Sequence, residues 1–215
     1  MSQPSSDSTA PLLRASAVHL WRGDKHLLRG VNLTLQRGEL LQIVGPNGVG
    51  KTSLLRCLAG LLPMESGEVH WEGRPISECR DVYQRALAYL AHANALKNDL
   101  TALENLRFSV GLRCTVTDEM LLDTLARVQI AHCADLPARA LSAGQKRRLA
   151  IARVLLTNAT LWILDEPITN LDVAGIELFE RCVAEHLERG GAVLTAAHQL
   201  LLTGRPNVRT LELAA

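Results

Sequence analysis

The chain has 215 residues, of which 47% are hydrophobic, so it is long enough to fold as one domain around a substantial core. Lys and Arg (23) nearly balance Asp and Glu (22), and this formal charge of +1 gives no electrostatic reason to expect a nucleic acid as partner. Five cysteines without a Cys-x-x-Cys pair argue against a disulfide framework or a zinc ribbon and favour a reducing compartment.

The beginning of the chain is polar and rich in serine. We therefore expect residues 1–11 to form a disordered tail rather than a signal peptide, and residues 12–215 to form the folded domain. No apolar run approaches the roughly 20 residues that span a bilayer, so a membrane process would need spans from another chain. Cys182 and His186 would share a helix face, where two such residues alone favour packing over a metal site.

Strands and helices are predicted to alternate along the chain. Hydrophobic patterning predicts strands over 12–21, 31–35, 40–44, 67–71, 86–90, 161–164, 192–195 and 208–213, and helices over 53–58, 80–85, 144–156 and 173–189. Thr101, with Glu104 three residues on, predicts a capped helix start, and 101–134 is helix-patterned throughout. We expect a helical subdomain at about 95–155 inserted into a core with a largely parallel sheet, whose ligand sites lie at the carboxyl ends of its strands.

A glycine-rich segment between the strand at 40–44 and the next helix fits the pattern G-x-x-x-x-G-K-[ST] at every fixed position. It consists of Gly45, Pro46, Asn47, Gly48, Val49, Gly50, Lys51 and Thr52, and Ser53 follows it. Such a P-loop points backbone N–H groups and a helix dipole at an anion. Lys51 can reach the β- and γ-phosphates and the Thr52 hydroxyl can hold Mg²⁺. The alternative is a turn that binds nothing, but the complete motif in this context predicts a nucleoside triphosphate site.

A P-loop alone does not distinguish kinases, GTPases, recombinases and transport ATPases, so later motifs must decide. Residues 161–164 are apolar and are followed by Asp165 and Glu166, which is the Walker B pattern. The apolar run predicts a buried strand that brings Asp165 to the metal beside Thr52. Glu166 can then polarise a water for attack on the γ-phosphate. In isolation the two acids would indicate a solvated turn, and the P-loop favours the catalytic interpretation.

A short motif of small residues opens the predicted helix before the Walker B strand. It reads Leu141, Ser142, Ala143, Gly144 and Gln145, and resembles the LSGGQ signature of ATP-binding cassette (ABC) proteins. Residues 169–172 resemble the D-loop of that family, and His198 stands at the position of its switch histidine. An ordinary serine N-cap would not explain this order of motifs. The basic run 146–148 that follows is interpreted as a solvated helix face.

The resemblance to ABC proteins covers 12–213 and implies an α/β fold. That fold is a P-loop NTPase core of ABC ATPase type, with an antiparallel β subdomain and an inserted helical signature subdomain. It implies ATP and Mg²⁺ as cofactors, Glu166 as the catalytic base, and contacts of Lys51 and His198 with the γ-phosphate. It further implies a homodimer of cassettes closed head-to-tail, so that each P-loop faces Ser142, Gly144 and Gln145 of the other copy.

The sequence also departs from the family pattern. Ala143 replaces the usual first glycine of the signature and adds one methyl group. His92 stands where a glutamine is usual, and a histidine can still donate to water or a metal-bound oxygen, with a charge that depends on pH. Trp21 lies nearest to the aromatic position that stacks on adenine, with Arg22 as the alternative, and packing in the core is a competing interpretation for Trp21.

Short strings at 92–97, 100–106, 141–148 and 161–167 resemble the branch of the family that serves c-type cytochrome biogenesis. This resemblance implies a peripheral subunit on the cytoplasmic face of the bacterial inner membrane. Its partners would be CcmB- and CcmC-like integral membrane subunits, and ATP hydrolysis would serve the export or delivery of haem. The alternatives are another small ABC exporter, a soluble ABC ATPase acting on DNA or ribosomes, and a scaffold that binds ATP without useful hydrolysis.

Overall fold

The computed structural model describes residues 10–111 and 113–214. Most of the tail expected at 1–11 therefore lies outside the described residues. The strands are β1 (Leu13–Arg22), β2 (Lys25–Leu35), β3 (Leu40–Val44), β4 (Ser66–Trp71), β5 (Arg74–Pro75), β6 (Leu87–Leu90), β7 (Leu161–Asp165), β8 (Ala192–Ala196) and β9 (Val208–Glu212). The helices are α1 (Lys51–Leu58), α2 (Arg80–Ala86), α3 (Ala102–Gly111), α4 (Asp118–Arg127), α5 (Ala143–Leu156) and α6 (Val173–Glu188).

Most of the predicted elements are found close to their expected bounds, and two differ. Strand β2 begins at Lys25 rather than at residue 31, because Lys25 pairs with Arg22 across a tight turn. The helical stretch expected over 101–134 is divided into α3, α4 and a short 3₁₀ turn at Ala131–Cys133. Helix α4 has its own start, where the Thr117 hydroxyl accepts a hydrogen bond from the Met120 N–H. The capping pair of Thr101 and Glu104 is confirmed at α3 by reciprocal bonds of 3.1 and 2.8 Å.

The central sheet has the order β6-β7-β8-β3-β9, and all its neighbouring strands run parallel. This arrangement confirms the predicted parallel sheet and puts β9 at its edge. The carboxyl ends of β3, β7 and β8 therefore meet at one edge of the sheet, where crevices for ligands form in such folds. The P-loop follows β3, Glu166 follows β7, and His198 comes shortly after β8.

A second sheet is antiparallel and has the order β2-β1-β4-β5. It contributes to a hydrophobic core that also contains Leu54 and Leu58 of α1 and Ile43 of the central sheet. A second core on the other face of the central sheet contains Leu40 and most of the buried hydrophobic residues of α3 to α6. A parallel sheet covered on both faces favours strands that are mostly apolar, which explains the apolar run in β7 and the run in β3 that Gln42 interrupts.

Cys182 belongs to the second core and His186 packs against it, as expected from their spacing on one helix face. The Cys182 side chain is buried, and the His186 ring stacks on Trp162 at 3.8 Å between ring centroids. His186 Nε2 lies 3.1 Å from the Thr160 carbonyl oxygen, and burial lowers the pKa of the imidazole below its usual value. The interpretation of this pair as packing is confirmed.

Among the helices of the described residues, none combines the length and the apolar character needed to cross a membrane.

Candidate nucleotide site

The P-loop forms a tight curve between β3 and α1. Gly45 has a φ of +143°, and a Cβ there would lie 2.6 Å from the backbone oxygen of Leu213, so no larger residue fits without rearrangement. Lys51 is only 8% exposed, and its Nζ donates to the carbonyl oxygens of Gly45 at 2.7 Å and Pro46 at 3.1 Å. The ammonium group is therefore held against the beginning of the loop.

Helix α1 starts at the last residues of the P-loop. Its N-cap is Gly50, which has no side chain to satisfy the first N–H groups of the helix. These N–H groups lack partners inside the helix and give its N-terminus a partial positive charge. The end of the loop can therefore bind an anion.

Asp165 lies beside Thr52, as the Walker B pattern predicts. The Thr52 hydroxyl donates to Asp165 Oδ1 at 3.0 Å, and Asp165 is only 1% exposed. Asp165 Oδ2 is buried and has no hydrogen-bond partner among the residues that the structure describes. Mg²⁺ takes carboxylate and hydroxyl oxygens as ligands, so a buried carboxylate oxygen without a partner, next to a hydroxyl, fits the expected metal position.

Glu166 and His198 come together from the ends of the neighbouring strands β7 and β8. Glu166 has a φ of +49°, and its N–H donates to the Ala196 carbonyl at 2.7 Å. Its Oε1 lies 3.6 Å from His198 Nε2, which is too long for a direct hydrogen bond. Both side chains face the same hollow as the P-loop, where a carboxylate and an imidazole can act on one bound molecule.

The hollow brings together half of the predicted site residues. It is lined by Arg22, Leu27, Asn47, Gly48, Gly50, Lys51, Thr52, Ser53, His92, Glu166 and His198. His92 lies in this lining, at the place where the family usually has a glutamine. Gly45, Pro46 and Val49 shape the loop without lining the hollow, and the Val49 side chain packs in the first core.

Trp21 does not line the hollow, whereas its neighbour Arg22 does. The Trp21 side chain is 49% exposed, and its ring stacks on His26 with the ring centroids 4.2 Å apart. The interpretation that Trp21 packs in the core is therefore wrong, because Leu20 and not Trp21 points inward from β1. Stacking of Trp21 on adenine stays a prediction.

The signature motif forms the start of α5 and lies outside the lining of the hollow. The Ser142 hydroxyl accepts from the Gln145 N–H at 3.2 Å, and Gln145 Oε1 accepts from the Ser142 N–H at 2.8 Å. A Cβ on Gly144 would lie 3.0 Å from the backbone oxygen of Asn170, so the motif packs closely against the predicted D-loop. Ser142 and Ala143 are exposed. A single chain therefore does not bring the signature and the P-loop together in this hollow.

The predicted D-loop is fixed by Asp172, which caps α6. Its Oδ1 accepts from the Gly175 N–H at 3.0 Å and from Arg148 Nη2 at 2.8 Å. The hydrogen bond from Arg148, and after it the one from the Gly175 N–H, lowers the pKa of the Asp172 carboxyl. Arg148 also donates to the Val128 carbonyl at 3.2 Å, so one guanidinium joins α5, the D-loop and the end of α4.

The interpretation of 146–148 as a solvated face is wrong for Arg147, which is 1% exposed, and for Arg148, whose side chain is 11% exposed. The Arg147 guanidinium lies inside the molecule because it donates to carbonyl oxygens at the ends of β6 and β7, including those of Ala91 and Glu166. Burial lowers the pKa of Arg147 to about 10, so the group stays charged at neutral pH. The sequence carried no direct signal for this, since the acceptors are backbone atoms of distant segments.

Gln42 is a second buried polar residue that sequence reasoning missed. It lies in the middle of β3 and is fully buried. Its Nε2 donates to the carbonyl oxygens of Ala197 at 3.3 Å and Gln199 at 2.8 Å, and its Oε1 accepts from the Leu201 N–H at 3.0 Å. These bonds bracket His198. The signal in the sequence was the lone polar residue in an otherwise apolar strand.

Comparison with known proteins identifies the family. The family model described as ABC transporter matches residues 28–169, which is more than half of the chain. The chain therefore belongs to the ABC transporter family.

Individual relatives are similar over almost the whole chain. The chain is 49% identical over 208 residues to the cytochrome c biogenesis ATP-binding export protein CcmA of Methylococcus capsulatus, which covers 96% of this chain and 100% of that protein. It is 43% identical over 202 residues to the protein of the same name from Escherichia coli K12, a match that covers 94% of this chain and 96% of that protein. A putative ABC transporter ATP-binding protein from Pyrococcus furiosus has a TM-score of 0.81 at 24% identity, over 94% of this chain and 96% of that chain. The predicted fold class is confirmed.

Proposed function

We propose that this chain is the ATP-hydrolysing subunit of an ABC export complex that serves c-type cytochrome biogenesis, where it drives the export or delivery of haem. One observation carries the proposal. The P-loop, Glu166, His198 and His92 line one hollow, with Asp165 beside Thr52, in a chain similar over nearly its full length to cytochrome c biogenesis ATP-binding export proteins.

The chemistry of the site divides among its residues. The loop amides and Lys51 bind the phosphates, and Thr52 and Asp165 would hold Mg²⁺, which would neutralise negative charge on the phosphates. Glu166 accepts the proton of the attacking water. His198 donates a hydrogen bond to the γ-phosphate. The geometry supports this assignment because the carboxylate and the imidazole face the P-loop from adjacent strand ends.

The second half of each site comes from another copy of the chain. Ser142 caps α5 at an exposed position, Gly144 and Gln145 lie half-buried in its first turn, and all three lie outside the hollow that the same chain's P-loop lines. In a head-to-tail homodimer, each signature motif covers the phosphates bound by the partner cassette. The domain that does this work comprises residues 12–215, with its helical subdomain at about 95–155.

The proposed complex places this chain on the cytoplasmic face of the bacterial inner membrane, bound to CcmB- and CcmC-like integral membrane subunits. Relatives named as export proteins support a membrane complex, and no helix of the described residues can cross a bilayer, so the spans come from those partners.

The experiment is affinity purification of the tagged chain from detergent-solubilised membranes, followed by a phosphate-release assay on the recovered complex. We expect integral membrane subunits to co-purify and ATP to be hydrolysed. We expect Lys51→Ala to abolish hydrolysis and to leave c-type cytochromes without covalent haem. Lys97→Ala changes an exposed lysine away from the hollow and is the matched control. Recovery with DNA or ribosomes, or normal haem attachment in the Lys51→Ala strain, would contradict the proposal.

A further inference from the structure

Arg147 is a fully paired guanidinium inside the molecule. It is 1% exposed, and each of its five N–H groups can be assigned an acceptor within 3.0 Å. The acceptors are the carbonyl oxygens of Pro167 (2.8 Å, from Nε), Ala91 (2.9 Å, from Nη1), Asp165 (2.9 Å, from Nη2) and Glu166 (2.6 Å, from Nη2), and Asn94 Oδ1 (3.0 Å, from Nη1). A rigid planar group with every donor satisfied fixes its partners relative to one another.

The acceptors of Arg147 belong to two segments that carry site residues. Asp165, Glu166 and Pro167 follow β7, where the metal-binding and water-polarising carboxylates lie. Ala91 and Asn94 follow β6 and flank the segment that presents His92 to the hollow. Arg147 itself is in α5, the helix that the signature motif opens. One side chain therefore connects three parts of the proposed ATPase site.

The contact with Glu166 has a particular geometry. Nη2 of Arg147 donates to the carbonyl oxygens of both Asp165 and Glu166, which belong to the peptide planes on the two sides of the Glu166 Cα. Between these planes the backbone has a φ of +49°, a left-handed conformation that a residue with a side chain rarely adopts. Such a conformation persists only where its surroundings hold it. Arg147 supplies that restraint from the direction of α5.

We propose that Arg147 is a positioning residue for ATP hydrolysis, which holds the Glu166 carboxylate and the His92 segment in register with the signature helix. The proposal rests on the proposed ATPase function. It has a mechanical consequence. Because Ser142 begins the same helix, a shift of α5 when a partner cassette docks is transmitted by the guanidinium to the backbone of Glu166.

A merely structural role would make the same bonds, so the test needs a control on the same helix. Arg153 is also in α5, and burial lowers its pKa as well, but within the described part of the chain its guanidinium donates only to the Ala95 carbonyl, at 3.0 Å. Replacing Arg153 by Lys therefore disturbs α5 without touching the segment after β7. Replacing Arg147 by Lys keeps the charge but substitutes a single ammonium group for the planar guanidinium. One ammonium group cannot reach both the segment after β6 and the segment after β7.

The experiment compares Arg147→Lys and Arg153→Lys in the full chain, purified with its membrane subunits. ATP affinity, kcat and the unfolding midpoint are measured for each. For Arg147→Lys we expect kcat to fall about 10²-fold and the ATP Kd to stay within about threefold. For Arg153→Lys we expect kcat to stay within about threefold while the unfolding midpoint falls. An unchanged kcat in Arg147→Lys, or an equal loss of kcat in both variants, would overturn the role of Arg147.

Two further measurements keep the test decisive. If Arg147→Lys does not fold, Asn94→Ala removes one acceptor, leaves the arginine in place, and is expected to lower kcat between about threefold and tenfold at unchanged Kd. An unchanged kcat in Asn94→Ala would then count against the proposal. Absence of hydrolysis by the wild-type complex would overturn the proposed function itself, which separates that failure from a failure of the role of Arg147.

Discussion

Asp165 and Glu166 are adjacent in sequence, but their surroundings suit different chemistry. Asp165 is buried, bonded to the Thr52 hydroxyl through one oxygen, and has no described partner for the other. The Glu166 side chain is 15% exposed at the hollow, near His198. A buried carboxylate beside a hydroxyl suits a metal ligand, whereas a carboxylate open to the hollow can meet water. We therefore propose metal binding for the first acid and proton transfer for the second.

Gln42 sets the position of the segment around His198, because its amide bonds to the backbone on both sides of that residue. Gln42→Leu would leave two carbonyl groups and the Leu201 N–H without this partner. We expect it to lower the free energy of unfolding by about 1–3 kcal/mol, the usual cost of unpaired buried polar groups, and to reduce kcat as well. Denaturant unfolding and phosphate release measure the two effects.

The exposed Gln36 offers a matched control, since Gln36→Leu makes the same change at the surface. It should leave both quantities close to those of the unchanged chain. Equal stability and equal kcat for Gln42→Leu would contradict the role assigned to Gln42.

The parts of the site that could be predicted from sequence are local. The P-loop and Walker B residues follow fixed spacings because the phosphate chain is bound by consecutive amides and by side chains at one strand end. Arg147 and Gln42 could not be assigned in this way. Their partners are backbone atoms from segments far away in sequence, such as Ala91 for Arg147 and Leu201 for Gln42. A run of basic residues on a helix predicts a solvated face, and this rule put Arg147 at the surface.

At the scale of elements, the start of α5 has two roles that can be separated. Ser142 caps the helix through its bond to the Gln145 N–H, and Thr117 caps α4 in the same way through the Met120 N–H. Both Ser142→Ala and Thr117→Ala should therefore cost about 1 kcal/mol of stability. Only Ser142→Ala should also lower ATP hydrolysis, because in the proposed homodimer Ser142, and not Thr117, faces the partner's phosphates. Equal hydrolysis in the two variants would argue against the signature role.

The packing of α6 on β7 predicts a pH dependence. Burial lowers the pKa of His186 below its value of about 6.5 in the unfolded chain, so the folded state binds this proton less readily. The contribution of the neutral His186 ring to the stability of the fold is complete above about pH 6.5. This contribution is lost as the pH falls toward the pKa of His186 in the folded state. His186→Phe keeps a ring against Trp162 but cannot titrate. Denaturant unfolding at pH 7.5 and 5.5 should show a smaller loss of stability in this variant than in the unchanged chain, and an equal loss would contradict the assignment.

The elements themselves were largely predictable because the central strands are buried on both faces and read as apolar runs between turns. The limits lay where tertiary contacts extend or divide an element. Strand β2 lengthens because the hairpin with β1 continues to the turn at Lys25. The helix-patterned region after Thr101 divides because Thr117 caps a new helix.

At the scale of the whole molecule, one chain provides a phosphate-binding hollow at one edge of the parallel sheet and a signature helix whose first residues lie elsewhere. Residue composition cannot reveal this separation, and the head-to-tail pairing was implied by family resemblance alone. In the proposed homodimer the separation is functional, because closure of two cassettes completes two sites and hydrolysis reopens them.

The most direct test of this composite site is the molar mass of Glu166→Gln, measured by light scattering with saturating ATP and Mg²⁺. Glutamine keeps the size of the side chain but cannot accept the proton from water, so bound ATP should persist and hold two copies together. We expect the 23.4 kDa monomer mass without nucleotide and twice that mass with ATP. Ser142→Arg in the same background should restore the monomer. A Glu166→Gln chain that binds ATP yet stays monomeric would contradict the composite site. One that hydrolyses ATP at the full rate would contradict the role of Glu166.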